Sequence, residues 1–238
     1  MNILTNIKKL IPNTLTSCNL ISGCIATGFA FQGDVRMALM FIILGAVFDF
    51  FDGMSARLLH VSSPIGKELD SLADDVTFGV APATIIFAHL KVMDYPSAIE
   101  CCRPWLPYFA FVVAAFSALR LAKFNLDERQ TTSFIGLPTP ANALFWGSLL
   151  STHANWLSTS SYMLPVVLVM ICVSSGLLVC ELPMFALKFK QWGWKGNEIK
   201  YLFAAFAVAC IVIFGPLQSF WAIILVYIIL SAALALRR

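Results

Sequence analysis

Long apolar stretches dominate this sequence and leave few fold classes open. Hydrophobic residues make up 59% of the 238 residues and charged residues only 12%, whereas soluble domains carry about 25% charged residues. A transmembrane helix needs about 20 apolar residues, and eight stretches approach this length: 13–31, 37–58, 70–90, 105–124, 138–157, 162–187, 201–215 and 217–236. We therefore predict an all-α, polytopic membrane protein with about eight spans, the last two forming a C-terminal transmembrane hairpin.

The basic residues are divided unevenly between the two sides of such a protein. If the N-terminus is cytoplasmic, the outer loops contain only Arg36, Lys91 and Arg103. The cytoplasmic side then holds Lys8, Lys9, Arg57, Lys67, Arg120, Lys123, Arg129, Lys188, Lys190, Lys195, Lys200, Arg237 and Arg238. Because Lys and Arg are enriched in cytoplasmic loops, we predict a multi-pass protein of the cytoplasmic membrane with both termini in the cytoplasm. The net charge of +3 and the absence of a basic stripe argue against a nucleic-acid partner.

Four carboxylates lie inside these apolar stretches. Asp49 and Asp52 fall near the cytoplasmic end of the second stretch, and Asp70 and Asp74 near the cytoplasmic start of the third. Residues three or four apart share a helix face, and the short connection at 58–65 makes the two helices antiparallel neighbours. Ionised carboxylates are costly in a membrane, so we expect a cluster that something neutralises.

The spacing of these carboxylates is compatible with two kinds of function. Oxygen ligands suit Mg²⁺ or Mn²⁺, and two such ions commonly assist displacement at phosphorus. Arg57 would then contact a phosphate, and backbone N–H groups near Gly66 would bind an anion. Intramembrane carboxylates also serve cation transport, and some pair with basic residues such as Arg57 and Lys67. Spacing alone leaves phosphoryl transfer and ion translocation open.

The fixed residues around the carboxylates resemble the signature of the CDP-alcohol phosphatidyltransferase family. That pattern reads Asp49-x2-Asp52-Gly53-x2-Ala56-Arg57-x8-Gly66-x3-Asp70-x3-Asp74. Further segments resemble the members that use serine as acceptor: Ile11 to Thr16, Phe78 to Pro82, Leu119 to Asn125 and Gly136 to Ala141. The resemblance implies a six-helix catalytic core, a homodimer, and transfer of the phosphatidyl group from CDP-diacylglycerol to the hydroxyl of L-serine with release of CMP.

The same resemblance assigns roles to individual residues. It implies that Asp49, Asp52, Asp70 and Asp74 hold divalent cations, two Mg²⁺ or Mn²⁺ ions, and that Asp74 is the general base. The implied contacts to the CDP moiety are Asn13, Thr16, Asp49, Gly53, Ala56, Arg57 and Gly66. Because the carboxylate of serine needs a cation, Arg120 and then Lys123 are the candidates, although both also fit charges that only flank a span.

The remaining expectations concern domains and alternatives. We predict a catalytic core at residues 1–190 and a cytoplasmic loop with the transmembrane hairpin at residues 191–238. Asp75 lies about 100° from Asp74 around an α-helix, so we do not expect it to join the metal cluster. Glycerol 3-phosphate or inositol phosphate remains an alternative acceptor, and a cation transporter is the alternative from a different functional class.

Overall fold

The computed structural model describes residues 3–61, 63–127, 134–185, 193–194 and 197–236, with side chains described from residue 8 onward and not at residue 134. Of the predicted cytoplasmic basic residues, several lie outside these ranges: Arg129, Lys188, Lys190, Lys195, Arg237 and Arg238.

Eight long helices make up most of the described chain. They are α1 (Ile3–Phe31), α2 (Val35–Leu58), α3 (Pro64–Val92), α4 (Leu106–Leu126), α5 (Thr139–Ser158), α6 (Met163–Val179), α7 (Glu198–Phe214) and α8 (Pro216–Ala235). Helix α3 contains a π-helical segment, Asp75–Val80, and α4 begins with a 3₁₀ segment, Leu106–Phe111. A further 3₁₀ turn, Ser97–Cys102, lies between α3 and α4.

The predicted all-α membrane fold is confirmed, and each of the eight apolar stretches corresponds to one helix. Five of the described helices are long and apolar enough to cross a membrane by length and composition: α1 from Lys8, α2, α3, α4 and α8. The other three, α5, α6 and α7, have 20, 17 and 17 residues. The sixth stretch was predicted to reach residue 187, but α6 ends at Val179 because Cys180 adopts an extended conformation.

Local signals explain where the helices begin and end. Asp34 caps α2 by accepting a hydrogen bond from the backbone N–H of Met37 at 3.0 Å. Ser63 caps α3 and Pro64 occupies its first turn. Between α7 and α8, Gly215 has φ +83° and precedes Pro216, so the helix breaks there.

The second half of α3 forms the centre of the helix bundle. It is buried along most of its length and packs against α1, α4 and α5. The C-terminal helix α8 packs along α5, where the backbone N–H of Trp221 donates to Ser148 Oγ at 3.1 Å. Helix α8 is therefore held against the bundle through α5.

A short antiparallel pair of strands fixes the end of α6 against the start of α5. Strand β1 (Phe134–Ile135) pairs with β2 (Pro183–Met184). Gly136 follows with φ +75°, and a Cβ atom there would lie 2.7 Å from the carbonyl oxygen of Leu178, so only glycine fits. This two-residue ladder is absent from the sequence-based prediction.

Candidate active site

The structure brings three of the four predicted aspartates together. One carboxylate oxygen each from Asp49, Asp70 and Asp74 lies within 4.8 Å of the others, a group that could hold a metal ion. Asp49 comes from α2, and the other two come from the first segment of α3. Asp52 is not part of this group and is almost fully buried beside it. Helices α2 and α3 therefore converge at these side chains, as predicted.

Helix α1 lies beside the cluster and donates hydrogen bonds to two of the four aspartates. Thr16 Oγ1 donates to Asp52 Oδ2 at 2.6 Å, and Asn19 Nδ2 donates to Asp74 Oδ1 at 3.0 Å. Helix α1 packs against both α2 and the start of α3. Asn13 and Thr16 are predicted site residues, whereas Asn19 is not among the predicted residues. The three-residue spacing of Asn13, Thr16 and Asn19 was the available signal, because it places them on one helix face.

Two glycines allow α1, α2 and α3 to approach closely below the cluster. A Cβ atom at Gly23 would overlap Thr77, and one at Gly45 would lie 2.6 Å from Thr77 Cγ2. Thr77 Oγ1 donates to the backbone carbonyl of Asn19 at 3.0 Å. This contact sets the position of Asn19 relative to α3. It therefore helps to place the Asn19 side chain within hydrogen-bond distance of Asp74. Small residues are the usual means of such close approach between membrane helices.

The cluster lacks a neutralising cation among the described side chains. Within the described ranges, no Lys, Arg or His side chain forms an ion pair with any of the four carboxylates. Two negative charges within 4.8 Å of each other repel by at least about 3 kcal/mol at an effective dielectric constant of about 20. The donors are all hard carboxylate oxygens, which suits Mg²⁺ or Mn²⁺. The residues present therefore fit a bound divalent metal.

A cavity of about 240 Å³ opens beside Asp52 and Asp70. Five residues predicted to contact CDP line it: Asn13, Thr16, Gly53, Ala56 and Gly66. Lys9, Ser63 and Lys67 also line the cavity but are not among the predicted contacts. Lys9 lies outside the motif, on α1, whereas Ser63 and Lys67 occupy positions that the motif leaves unspecified, so the motif alone does not point to them.

Three of the predicted CDP contacts differ from the expectation. Asp49 and Arg57 are not among the residues that line the cavity. Arg57 is exposed, although its Nη1 lies 3.8 Å from where a Cβ of Gly53 would be. The backbone N–H of Gly66, expected to bind an anion, instead donates to Ser63 Oγ at 2.9 Å. This helix cap occupies that donor, so Gly66 contributes space: a Cβ there would lie 3.2 Å from Asn13 Oδ1.

The candidate serine-binding residues lie on α4 at a second cavity of about 50 Å³. Arg120 is 7% exposed and its guanidinium lies 5.4 Å from the ring centroid of Phe124. Lys123 is exposed. The negative charge of Asp74 interacts with the guanidinium group of Arg120. The end of α6 and the chain after it, Leu178 to Glu181, form the other wall of this cavity.

Comparisons with known proteins identify the family of the chain. Residues 9–173 match the CDP-alcohol phosphatidyltransferase family. The CDP-diacylglycerol–serine O-phosphatidyltransferase of Bacillus subtilis is 38% identical over 130 residues, which cover 55% of this chain and 69% of that protein. The protein of the same name from Mycobacterium leprae is 29% identical over 232 residues, covering 92% of this chain and 72% of that protein.

A third relative bearing that name, from Saccharomyces cerevisiae, is 43% identical over 115 residues, or 44% of this chain and 38% of that protein. The mycobacterial match covers so much of the chain that it includes part of residues 191–238. The family match covers more than half of the chain and contains all four aspartates. The chain therefore belongs to the CDP-alcohol phosphatidyltransferase family.

Proposed function

We propose that this protein is a phosphatidylserine synthase, which transfers the phosphatidyl group from CDP-diacylglycerol to the hydroxyl of L-serine and releases CMP. The observation that carries the proposal is the position of the aspartate cluster relative to the two cavities. Asp70 lines the larger cavity, whereas Asp74 is the member whose charge acts on Arg120 at the smaller one. The names of the relatives support serine as the acceptor.

Asp49, Asp70 and Asp74, with Asp52 beside them, would hold divalent cations, two Mg²⁺ or Mn²⁺ ions. Such ions, when bound, neutralise phosphate oxygens and the departing CMP. The oxygen-only donor set and the absence of a cationic partner within the described residues support this assignment.

The larger cavity would bind the CDP moiety. Gly53, Ala56 and Gly66 have little or no side chain, so they leave room for the nucleotide between α2 and α3. Lys9 and Lys67 line the same cavity and supply positive charge for the phosphates. Thr16 binds Asp52 and so holds that carboxylate at the cavity wall.

Asp74 would act as the general base. Asn19 donates to its Oδ1 and so orients the carboxylate, which would leave the second oxygen to take the proton of the acceptor hydroxyl. As the serine oxygen forms its bond to the diacylglycerol-linked phosphorus, the bond from phosphorus to CMP breaks and the serine proton passes to Asp74. Proton transfer by a positioned side chain of this kind contributes roughly 10²–10⁴-fold to rate.

Arg120 would bind the carboxylate of serine. A charge that only marks the end of a span lies exposed, as Lys123 does, whereas Arg120 is 7% exposed. This burial favours Arg120 over Lys123 as the binding residue. The cavity of about 50 Å³ has room for roughly four water molecules, which suits a small amino acid better than inositol phosphate.

We also propose that the active site faces the cytoplasm and that the protein is a homodimer with a catalytic core at residues 1–190. Lys8, Lys9, Arg57, Lys67 and Lys123 lie at the same helix ends as the cluster, which supports a cytoplasmic site. The hairpin at residues 191–238 would stabilise the core through the contact of α8 with α5.

The test is an assay of purified protein with CDP-diacylglycerol and a panel of alcohols. We expect CMP release with L-serine and far less with glycerol 3-phosphate or inositol phosphate. Preference for a phosphorylated acceptor would refute serine specificity. Cation flux in liposomes without any CMP release would refute the enzymatic proposal altogether.

A further inference from the structure

We propose that Asp75, together with Ser117, binds the ammonium group of an amino-acid acceptor, so that this corner of the site selects a zwitterion. The inference rests on the proposed function, because it assigns a partner to the acceptor whose carboxylate binds Arg120. It gives a role to a carboxylate that the aspartate cluster does not use.

Asp75 is not in the group of aspartates that could hold a metal ion, and its Oδ1 atom lies beside Gly79 and α4. It is the first residue of the π-helical segment of α3, directly after Asp74. Single π-helical turns inside α-helices are frequent at functional sites. A Cβ atom at Gly79 would lie 2.6 Å from Asp75 Oδ1 and 3.0 Å from the Cβ of Ser117. The carboxylate of Asp75 therefore covers Gly79 and reaches the surface of α4 at Ser117.

Three polar atoms along this surface are inaccessible to solvent and have no hydrogen-bond partner among the described residues. They are Asp75 Oδ1, Ser117 Oγ and Arg120 Nε. Ser117 is 0% exposed and Arg120 is 7% exposed. Buried polar atoms are nearly always paired, with protein, water or a ligand. Three such atoms on adjoining surfaces are free to form hydrogen bonds with a polar ligand.

The order of charges along α4 matches an α-amino acid. Ser117 and Arg120 are three residues apart and share one face of the helix. Asp75 lies beside Ser117. Arg120, one turn further along α4, interacts with the negative charge of Asp74. An ammonium group would pair with Asp75 and Ser117, while the carboxylate of the same molecule pairs with Arg120.

The same arrangement would reject the alternative acceptors. Glycerol 3-phosphate and inositol phosphate have no ammonium group, so they would leave the buried Oδ1 atom of Asp75 unpaired. Their phosphate would also add negative charge beside it. Sites built to bind a specific donor discriminate strongly against ligands that lack that donor, because their buried polar groups then stay unpaired.

The experiment compares L-serine with 3-hydroxypropionate, which has the same hydroxyl and carboxylate but no ammonium group. In Asp75→Asn we expect kcat/KM for serine to fall about tenfold or more, mainly through KM, because a buried ionic partner is lost. The value for 3-hydroxypropionate should stay unchanged or rise. If that acceptor is not turned over, inhibition constants of propionate and L-alanine against serine supply the same comparison, and only L-alanine should bind more weakly.

Two further variants separate this inference from other effects. Ser117→Ala should shift the ratio of serine to 3-hydroxypropionate in the same direction by a smaller factor, and it tests the site if Asp75→Asn does not fold. Glu68→Gln removes an exposed carboxylate from the same helix and should leave the ratio unchanged.

An unchanged ratio in Asp75→Asn and Ser117→Ala would overturn the inference. An equal loss with both acceptors would overturn it too, because Asp75 would then act on something the two acceptors share. If the wild-type protein shows no serine-dependent CMP release, the proposed function itself fails, whatever Asp75 does.

Discussion

The hydrogen bond from Asn19 to Asp74 offers a sharp test of how the catalytic carboxylate is held. Asn19 is 0% exposed, and its Nδ2 donates to Asp74 Oδ1 at 3.0 Å. A hydrogen bond to a charged group is worth about 1.5–3 kcal/mol. If the bond supports the transition state in full, Asn19→Ala should lower kcat by roughly 10- to 150-fold, since about 1.4 kcal/mol corresponds to a factor of ten. The assay is CMP release at saturating CDP-diacylglycerol and serine.

The substitution changes only the side chain of Asn19, because its backbone carbonyl still accepts the hydrogen bond from Thr77 Oγ1. Ser22→Ala is the matched control: Ser22 lies on the same helix, is 3% exposed, and donates to the backbone carbonyl of Cys18. We expect near-normal kcat in this control. If Asn19→Ala retained kcat within about twofold of the wild type, the hydrogen bond would contribute nothing to catalysis and the positioning argument would be refuted.

Two further predictions concern packing and acceptor binding. Gly23→Ala should destabilise the protein by about 1–3 kcal/mol, since the new Cβ would overlap Thr77. Gly28→Ala should be neutral or slightly stabilising, because a Cβ there meets no atom of another helix within 4 Å. Thermal unfolding in detergent measures both variants, and equal midpoints would contradict the close helix approach. Arg120→Gln should raise KM for serine by about tenfold or more without changing KM for CDP-diacylglycerol. Lys123→Gln should change neither of these two constants. The reverse pattern would assign the binding of the serine carboxylate to Lys123.

Much of the fold could be predicted because membrane insertion requires long apolar segments. Each of the eight apolar stretches corresponds to a helix, and the spacing of Asp49, Asp70 and Asp74 correctly indicated that α2 and α3 converge. Hydropathy reports the length of a helix, however, and not which helix lies beside it. The position of α1 beside the cluster, and with it the role of Asn19, therefore could not be read from apolar stretches.

The irregular backbone segments could not be predicted either. The prediction assumed ideal α-helical geometry, which has no means of anticipating the π-helical segment at Asp75. The strand pair of Ile135 and Pro183 involves two residues on each side, too few to show a period-two pattern. Both features shape the surroundings of Arg120, which explains why the acceptor site was less predictable than the aspartate cluster.

Serine-dependent release of CMP by the purified protein, measured with and without excess EDTA, tests the central claim most directly. We expect the wild type to convert CDP-diacylglycerol and L-serine to phosphatidylserine and CMP, to stop in EDTA, and to recover when Mg²⁺ or Mn²⁺ is restored. Asp74→Asn should bind CDP-diacylglycerol but give no product even with metal. Full activity in EDTA, or near-normal turnover by Asp74→Asn, would contradict a metal-dependent transfer with Asp74 as its base.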